Sequence, residues 1–199
     1  MASDSPSAPA LPADENIFLV GLMGAGKTSI GKVIARRLGK AFYDCDHEIE
    51  RATGVRVPVI FEIEGEAGFR LREGRMLAEL ATRRNIVLAT GGGAVMSEEN
   101  RRVLARNGLV IYLRAMPQDL WHRTRHDRNR PLLQTPDPLG KLTELFGERD
   151  PLYREVADVI VDTGNQSLSS LAHRLEQKLA EARASLGAAP LAADKTCAR

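Results

Sequence analysis

GLMGAGKT, residues 21–28, is the stretch from which the fold can be inferred. It matches G-x-x-x-x-G-K-[ST], a pattern in which glycines let backbone N–H groups surround a phosphate. An apolar run at residues 17–20 precedes it, and residues 28–38 follow with apolar side chains at helical spacing. A strand, a glycine loop and a helix in this order predict phosphate binding at the N-terminal end of the helix. The alternative is an ordinary glycine-rich turn without a ligand.

Two residues of this loop carry predicted chemistry beyond that of the backbone. Lys27 is placed to reach the β- and γ-phosphates of ATP, where we predict a catalytic role. Thr28 offers a hydroxyl to Mg²⁺, which bridges phosphate oxygens during phosphoryl transfer. The predicted ATP contacts in the loop are Gly24, Ala25, Gly26, Lys27, Thr28 and Ser29.

The rest of the chain alternates between predicted strands and helices. Apolar runs predict strands at residues 17–20, 41–44, 86–90, 109–113 and 159–162. Most of these runs are almost entirely apolar, which is typical of strands buried on both faces of a parallel sheet. We therefore predict an α/β fold, namely a three-layer, doubly wound domain with a five-stranded parallel sheet.

Composition limits the class of protein. A chain of 199 residues fits one domain, and a formal net charge of +2 does not require a nucleic-acid partner. No apolar run approaches the roughly 18 residues of a membrane span, and the N-terminal residues lack the features of a signal peptide. The two cysteines, Cys45 and Cys197, indicate no disulfide framework. We expect a cytoplasmic protein with no nucleic-acid and no membrane partner.

Both ends of the chain differ from its middle in composition. Residues 1–15 are rich in Ala, Pro and Ser, and the last residues contain Ala and Pro before a charged end. We predict a disordered N-terminal extension at residues 1–15, one folded domain at residues 16–184 and a disordered C-terminal tail at residues 185–199.

Asp44 and Asp46 lie at the carboxyl end of the predicted second strand, where open α/β sheets bind ligands. Residues two apart on an extended strand face the same side, so both carboxylates are expected to face one crevice. The apolar run at residues 86–90 does not end in Asp, so Asp44 is predicted near Mg²⁺ and Asp46 near an acceptor hydroxyl. The alternative is that Asp46 caps a helix beginning near His47 and that Asp44 is a solvated turn residue.

Six short motifs, in order and spacing, resemble those of the shikimate kinases, which are P-loop kinases with a nucleoside-monophosphate-kinase-like fold. The resemblance runs from about Asn16 to Leu179 and implies transfer of the ATP γ-phosphoryl group to the 3-hydroxyl of shikimate. The motifs are residues 21–28, Asp44 with Asp46, Gly68-Phe69-Arg70, Gly91-Gly92-Gly93, Arg130-Pro131-Leu132-Leu133 and Pro151-Leu152-Tyr153-Arg154.

The resemblance implies an acceptor site. It implies that Asp46 binds the shikimate hydroxyls and acts as the base, and that Asp44 assists Mg²⁺ through water. It gives Arg70 and Arg154 the substrate carboxylate, which suits a guanidinium because its fork can bind both oxygens in one plane. Shikimate is also implied to lie against Gly91–Gly93. Without the resemblance, Arg70 would be interpreted as a solvated residue on a charged helix face, and the glycines as a flexible turn.

The resemblance also implies the ATP contacts outside the loop. It makes residues 126–136 a lid over the nucleotide, with Arg130 as a catalytic residue and ATP contact, because an arriving cation stabilises the transferring phosphoryl group. Arg123 is implied to pack on the adenine ring, with Gln166 in the opposite wall, where the sequence departs from the proline of some relatives. From the residues alone, the lid segment is a basic surface loop.

Other functions stay open. Another small-metabolite kinase, such as one acting on gluconate, would also use arginines for a carboxylate, although the triple glycine and the aspartate pair disfavour it. A noncatalytic ATP-binding regulator would keep the phosphate loop, although Asp46 and Arg154 argue against it. Nucleic-acid binding would rest on one basic loop at residues 123–130. The resemblance further implies a monomer whose partners are ATP and shikimate.

Overall fold

The computed structural model describes residues 15–127, 129–164 and 166–187, and within them five parallel strands form one sheet in the order β2-β3-β1-β4-β5. The predicted α/β fold with its five-stranded parallel sheet is confirmed. The strands are β1 Asn16–Val20, β2 Ala41–Asp44, β3 Ile86–Ala89, β4 Gly108–Arg114 and β5 Val159–Asp162.

Helices connect successive strands, as parallel pairing requires. Short 3₁₀ turns occupy Ala94–Met96 and Pro131–Leu133. The α-helices are α1 Lys27–Leu38, α2 Cys45–Thr53, α3 Val57–Ala81, α4 Glu98–Asn107, α5 Pro117–Thr124, α6 Pro138–Val156 and α7 Leu168–Gly187.

The sheet is covered on both faces. Helices α1 and α7 pack against each other, whereas α3, α4 and α6 form a second group. Strand β1 is buried along its whole length and β4 along most of it, because each is central and has helices above and below. This is the three-layer, doubly wound arrangement expected from the apolar runs.

The strand order brings the predicted site together. Strands β2, β3 and β1 are neighbours and run in the same direction, so their carboxyl ends share one edge. The phosphate loop follows β1, Asp44 ends β2, and the triple glycine follows β3. Residues far apart in sequence therefore meet at the edge where open α/β sheets bind ligands.

Helix α3 changes direction at Gly65, where φ is +69° and ψ is −178°. A left-handed φ is readily adopted only by glycine, so the residue type permits the bend. Glu64 and Arg72 pair across the bend, with N–O distances of 2.8 and 2.6 Å. The bend separates the first part of α3 from the turns that carry Arg70 and Glu73.

The predicted boundaries fall partly outside the described residues. Of the predicted extension at residues 1–15, only Glu15 is described, and residues 188–199 of the predicted tail are not. Helix α7 continues to Gly187, three residues past the predicted boundary at residue 184. The predicted lid, residues 126–136, is described except at residue 128 and contains the 3₁₀ turn Pro131–Leu133. Across the described residues, no helix is both long and apolar enough to cross a membrane.

Asn16, at the start of β1, connects the beginnings of three strands. Its side-chain amide donates to the carbonyl oxygens of Arg83 at 2.7 Å and Asn107 at 3.2 Å, and its Oδ1 accepts from the Ile86 N–H at 3.2 Å. The residue is only 5% exposed, so water cannot readily replace these bonds. One asparagine thus satisfies backbone groups that precede both neighbours of the central strand.

Asn16→Ala is expected to lower the free energy of unfolding by about 2–4 kcal/mol, because it leaves the buried Ile86 N–H and two part-buried carbonyl oxygens without their partner. Urea denaturation followed by circular dichroism measures the loss. The matched control is Asn107→Ala, since the exposed Asn107 side chain donates only to a carbonyl within its own helix. Equal stability of the two variants would show that the Asn16 contacts contribute little.

Candidate active site

A cavity of about 560 Å³ opens at the carboxyl edge of the sheet. Most of the residues predicted to bind ATP, metal or acceptor line it. Those that do are Gly24, Gly26, Lys27, Thr28, Ser29, Asp44, Asp46, Arg70, Gly91, Gly92, Gly93, Arg123 and Arg130. One cavity therefore holds the phosphate loop, the aspartate pair, the triple glycine and the lid arginine.

Lys27 is buried within the phosphate loop. Its Nζ donates to the carbonyl oxygens of Gly21 at 2.6 Å and Leu22 at 3.0 Å. Burial and the nearby Arg130 charge, opposed by the neighbouring carboxylates, together lower the pKa of Lys27 to about 8. The ammonium is thus held where negative charge from a phosphate would stabilise it.

The Thr28 hydroxyl donates to Asp44 Oδ2 at 2.6 Å, so the two oxygens predicted near a metal are in contact. The other Asp44 oxygen accepts from the backbone N–H groups of Asp46 and His47 and caps α2. Asp44 is therefore the capping residue, whereas the capping alternative had named Asp46. Both carboxylates line the cavity, but the predicted reason was wrong, because Asp46 lies in the first turn of a helix and not on an extended strand.

Asp46 shares the floor of the cavity with Glu73. Asp46 Oδ1 and Glu73 Oε1 are both buried without a hydrogen-bond partner. Burial, together with the charges of Asp44 and Glu73, raises the pKa of Asp46 to about 6, and Lys27 and Arg70 oppose the shift. Burial also raises the pKa of Glu73, with Arg70 opposing. Asp46 is thus a stronger base than an ordinary aspartate.

Arg70 is held in place by two carboxylates. Its Nη1 pairs with Glu73 Oε2 at 2.8 Å and its Nη2 with Glu66 Oε1 at 2.8 Å. The side chain is 23% exposed and lines the cavity, so the solvated alternative for Arg70 does not hold. The alternative interpretation placed Arg70 on a charged, solvated helix face, whereas its partner Glu73 is fully buried.

The triple glycine is required by close contacts. A Cβ on Gly91 would lie 1.9 Å from Glu73 Oε1, and one on Gly93 would lie 2.2 Å from Arg70 Cζ. Real Cβ atoms do not approach other atoms so closely, so neither position accepts a side chain without rearrangement of the site. The glycines form a packed backbone segment and not the flexible turn of the alternative interpretation.

The structure does not bring Arg154 to the cavity. Its side chain is 45% exposed and pairs with Asp150 at 2.6 Å, outside the cavity. Arg149 lines the cavity instead, where it is 3% exposed, donates from Nη1 to the Gly92 carbonyl at 3.2 Å and has an unpartnered Nε. The two arginines lie about 140° apart around α6, since each helical residue turns about 100°. Arg149 was not predicted from the sequence. The available signal was its i,i+4 spacing from Tyr153, which places the two side chains on the same, buried face of α6.

The remaining predicted ATP contacts are only partly brought together. Arg123 donates from Nη1 to Thr163 Oγ1 at 3.0 Å and from Nη2 to the Gly164 carbonyl at 2.6 Å, at the edge of the cavity. Gln166 does not line the cavity, and its Nε2 donates to the Asp162 carbonyl at 2.9 Å.

Two further positions complete the comparison with prediction. Ala25 is buried at 1% exposure and outside the lining, and its backbone N–H donates to the Leu22 carbonyl at 3.2 Å. Arg130 lines the cavity from the lid segment, where its Nε pairs with Asp127 Oδ2 at 2.9 Å. Its charge lies close enough to the phosphate loop to lower the pKa of Lys27.

The shikimate kinase family model matches residues 23–180 of the chain. The shikimate kinase of Cupriavidus pinatubonensis is 63% identical over 164 residues, which are 82% of this chain and 85% of that protein. The shikimate kinase of Thiobacillus denitrificans is 62% identical over 165 residues, 83% of this chain and 90% of that protein.

A solved structure agrees with these relatives. Shikimate kinase from Acinetobacter baumannii in complex with shikimate has a TM-score of 0.82 and 49% identity, and the match covers 84% of this chain and 93% of that one. The resemblance inferred from the sequence motifs is thereby confirmed. The chain, whose cavity joins a phosphate loop to buried acids and arginines, belongs to the shikimate kinase family and is an ATP-dependent small-molecule kinase.

Proposed function

We propose that this chain transfers the γ-phosphoryl group of ATP to the 3-hydroxyl of shikimate, giving shikimate 3-phosphate and ADP in aromatic amino-acid biosynthesis. The observation that carries the proposal is that Asp46, Arg70 and Arg149 line one cavity with the phosphate loop. A base and two guanidinium groups beside a phosphate site suit an acceptor that bears both a hydroxyl and a carboxylate.

The ATP side of the proposed reaction rests on the phosphate loop. Its backbone and the N-terminal end of α1 would hold the β- and γ-phosphates, with Lys27 providing positive charge. Arg130, which faces the loop from the lid segment, would stabilise charge on the transferring group. Arg123 would contact the adenine ring, since it already connects to the loop that follows β5.

Mg²⁺ fits the oxygen pair at Thr28 and Asp44. A hydroxyl and a carboxylate in contact are hard oxygen donors, which Mg²⁺ prefers. Among the described residues no cluster of three or more His, Cys, Asp or Glu could hold a metal ion, so ATP phosphate oxygens and water would complete its coordination. When bound, Mg²⁺ would neutralise charge on the phosphates, with Asp44 acting through water.

The acceptor side divides between binding and orientation. Arg70 and Arg149 would bind the shikimate carboxylate with their planar guanidinium groups. Asp46 would accept a hydrogen bond from the 3-hydroxyl and aim its oxygen at the γ-phosphorus. As the new P–O bond forms and the bond to ADP breaks, the hydroxyl proton passes to Asp46. Positioning is the larger contribution because the transition state of phosphoryl transfer is loose.

The proposed partners are ATP and shikimate, and the working unit is a monomer. Every group named above comes from one chain, which supports action without a second copy. Dependence on ATP supports a cytoplasmic location. The family of the chain disfavours both rivals, a gluconate kinase and a noncatalytic ATP-binding regulator.

A coupled assay of ADP release is expected to show turnover with shikimate and little with gluconate, because the chain is 63% identical to a shikimate kinase and Asp46, Arg70 and Arg149 line its cavity. The assay uses purified protein with ATP and Mg²⁺, with each acceptor tested separately. Turnover with gluconate and none with shikimate would show that gluconate is the acceptor. Absence of turnover with either acceptor would contradict the proposed function.

Arg149→Lys is expected to raise the shikimate KM by roughly 10- to 100-fold, because an ammonium cannot reproduce a planar two-point contact. Steady-state kinetics at saturating ATP measure the change. Arg154→Lys, on the same helix but outside the cavity, should leave that KM within about twofold. A larger effect at Arg154 than at Arg149 would contradict the assignment.

The pH dependence of kcat/KM for shikimate is expected to show an acid limb with a pKa of about 6. Below that pH Asp46 carries a proton and cannot accept another, so activity falls as pH decreases. Asp46→Asn should lose roughly 100-fold or more in kcat, keep its ATP affinity and lack this limb. Asp119→Asn, in the first turn of α5 and outside the cavity, serves as the control and should retain the wild-type profile.

A further inference from the structure

Tyr153 is a buried tyrosine that contacts the acceptor segment from behind. It is 0% exposed, lies on α6, and does not line the cavity. Its hydroxyl donates to the carbonyl oxygen of Gly92. Its ring stacks on Tyr112, with centroids 4.8 Å apart and an interplanar angle of 27°. The side chain therefore links the hydrophobic core to the triple glycine.

The Gly92 carbonyl is the point at which α6 holds this segment. The Gly91 and Gly93 carbonyls accept from the backbone N–H groups of Ala94 and Met96, within the following 3₁₀ turn. The Gly92 carbonyl accepts from side chains instead, namely the Tyr153 hydroxyl and Arg149 Nη1. A carbonyl oxygen has two lone pairs, so these two donors use its full capacity.

Gly92 also lies against the phosphate loop. A Cβ placed on it would be 3.3 Å from the Met23 N and 3.7 Å from the Gly21 carbonyl oxygen. The orientation of the Gly92 peptide consequently affects the position of the Arg149 guanidinium beside the phosphate loop. A segment of glycines has no side chains of its own to fix that orientation.

We infer that Tyr153 is a positioning residue for the acceptor, whose hydroxyl fixes the Gly92 carbonyl and thereby holds Arg149 and the Gly91–Gly93 backbone in the geometry that binds the substrate carboxylate. The inference rests on the proposed function, because it takes shikimate as the acceptor. It adds a contact made from outside the cavity to the groups that line it.

The hydroxyl remains a donor across the working pH range. Burial raises the pKa of Tyr153 above that of an exposed tyrosine, and the Arg149 charge only partly opposes the shift. The tyrosine does not ionise in the reaction, and its contribution is geometric.

Tyr112 provides a matched control for a purely structural role. It is 1% exposed, it forms the other half of the stacked pair, and its hydroxyl donates to Asp150 Oδ1 at 2.9 Å, away from Gly92. Phenylalanine at either position removes one buried hydroxyl and keeps the stacked rings. Only the Tyr153 change removes a bond to the acceptor segment.

The experiment compares wild-type protein, Tyr153→Phe and Tyr112→Phe in steady-state kinetics with shikimate and ATP, together with thermal denaturation. Tyr153→Phe is expected to raise the shikimate KM about tenfold while the ATP KM stays within about twofold. Tyr112→Phe should leave both KM values within about twofold of wild type, even if its melting temperature falls as much as that of Tyr153→Phe. Such a split between substrates would not arise from general loosening of the fold.

A double-mutant cycle gives a second readout. If Tyr153 acts through Arg149, the shikimate KM of Tyr153→Phe combined with Arg149→Lys should rise by less than the product of the single effects. Three results would overturn the inference: a shikimate KM of Tyr153→Phe within twofold of wild type, equal effects of the two Phe variants, or fully multiplicative effects in the cycle. Each of them would leave the proposed function intact as long as the wild-type protein turns over shikimate. Absence of wild-type turnover on shikimate would remove the proposed function and the inference with it.

Discussion

The backbone at Gly91–Gly93 runs between the phosphate loop and the acceptor residues, and a Cβ at Gly91 or Gly93 would overlap a charged side chain. Glu73 Oε1 lies 1.9 Å from where a Cβ on Gly91 would be, and the Arg70 guanidinium lies 2.2 Å from the corresponding point on Gly93. Because these glycines have no side chains, charged groups from α3 and α6 can reach the same space as the phosphate loop. A bulkier connection after β3 would push them apart.

The charges gathered there also depend on one another. Asp46 and Glu73 bring buried negative charge, and Lys27, Arg70 and Arg149 bring positive charge, so no sign is left isolated in a region of low dielectric. The compensation is incomplete, since oxygens of both acids and the Nε of Arg149 lack partners. Groups left unpartnered at a cavity wall are free to bind a ligand, and a polar acceptor would satisfy them.

Much of this arrangement could be predicted from the sequence. The loop at residues 21–28 follows an apolar strand and opens a helix. Such a pattern can be recognised in the sequence because it depends on neighbouring residues alone. Helix phase was harder to predict. Choosing between Arg149 and Arg154 requires knowing which face of α6 meets the sheet, and a segment rich in charges with Pro151 in its interior gives a weak periodicity. Gln166 was placed in the adenine wall by the family resemblance alone, whereas its side chain bonds the Asp162 carbonyl four residues earlier.

The burial of Lys27 has a chemical consequence beyond phosphate binding. With a pKa of about 8, roughly a tenth of the side chain is the free amine at pH 7, far more than for an exposed lysine. A free amine is a nucleophile, so electrophilic reagents small enough to enter the cavity should modify this lysine in preference to those on the surface. An anionic occupant of the loop would restore the charge and shield the nitrogen.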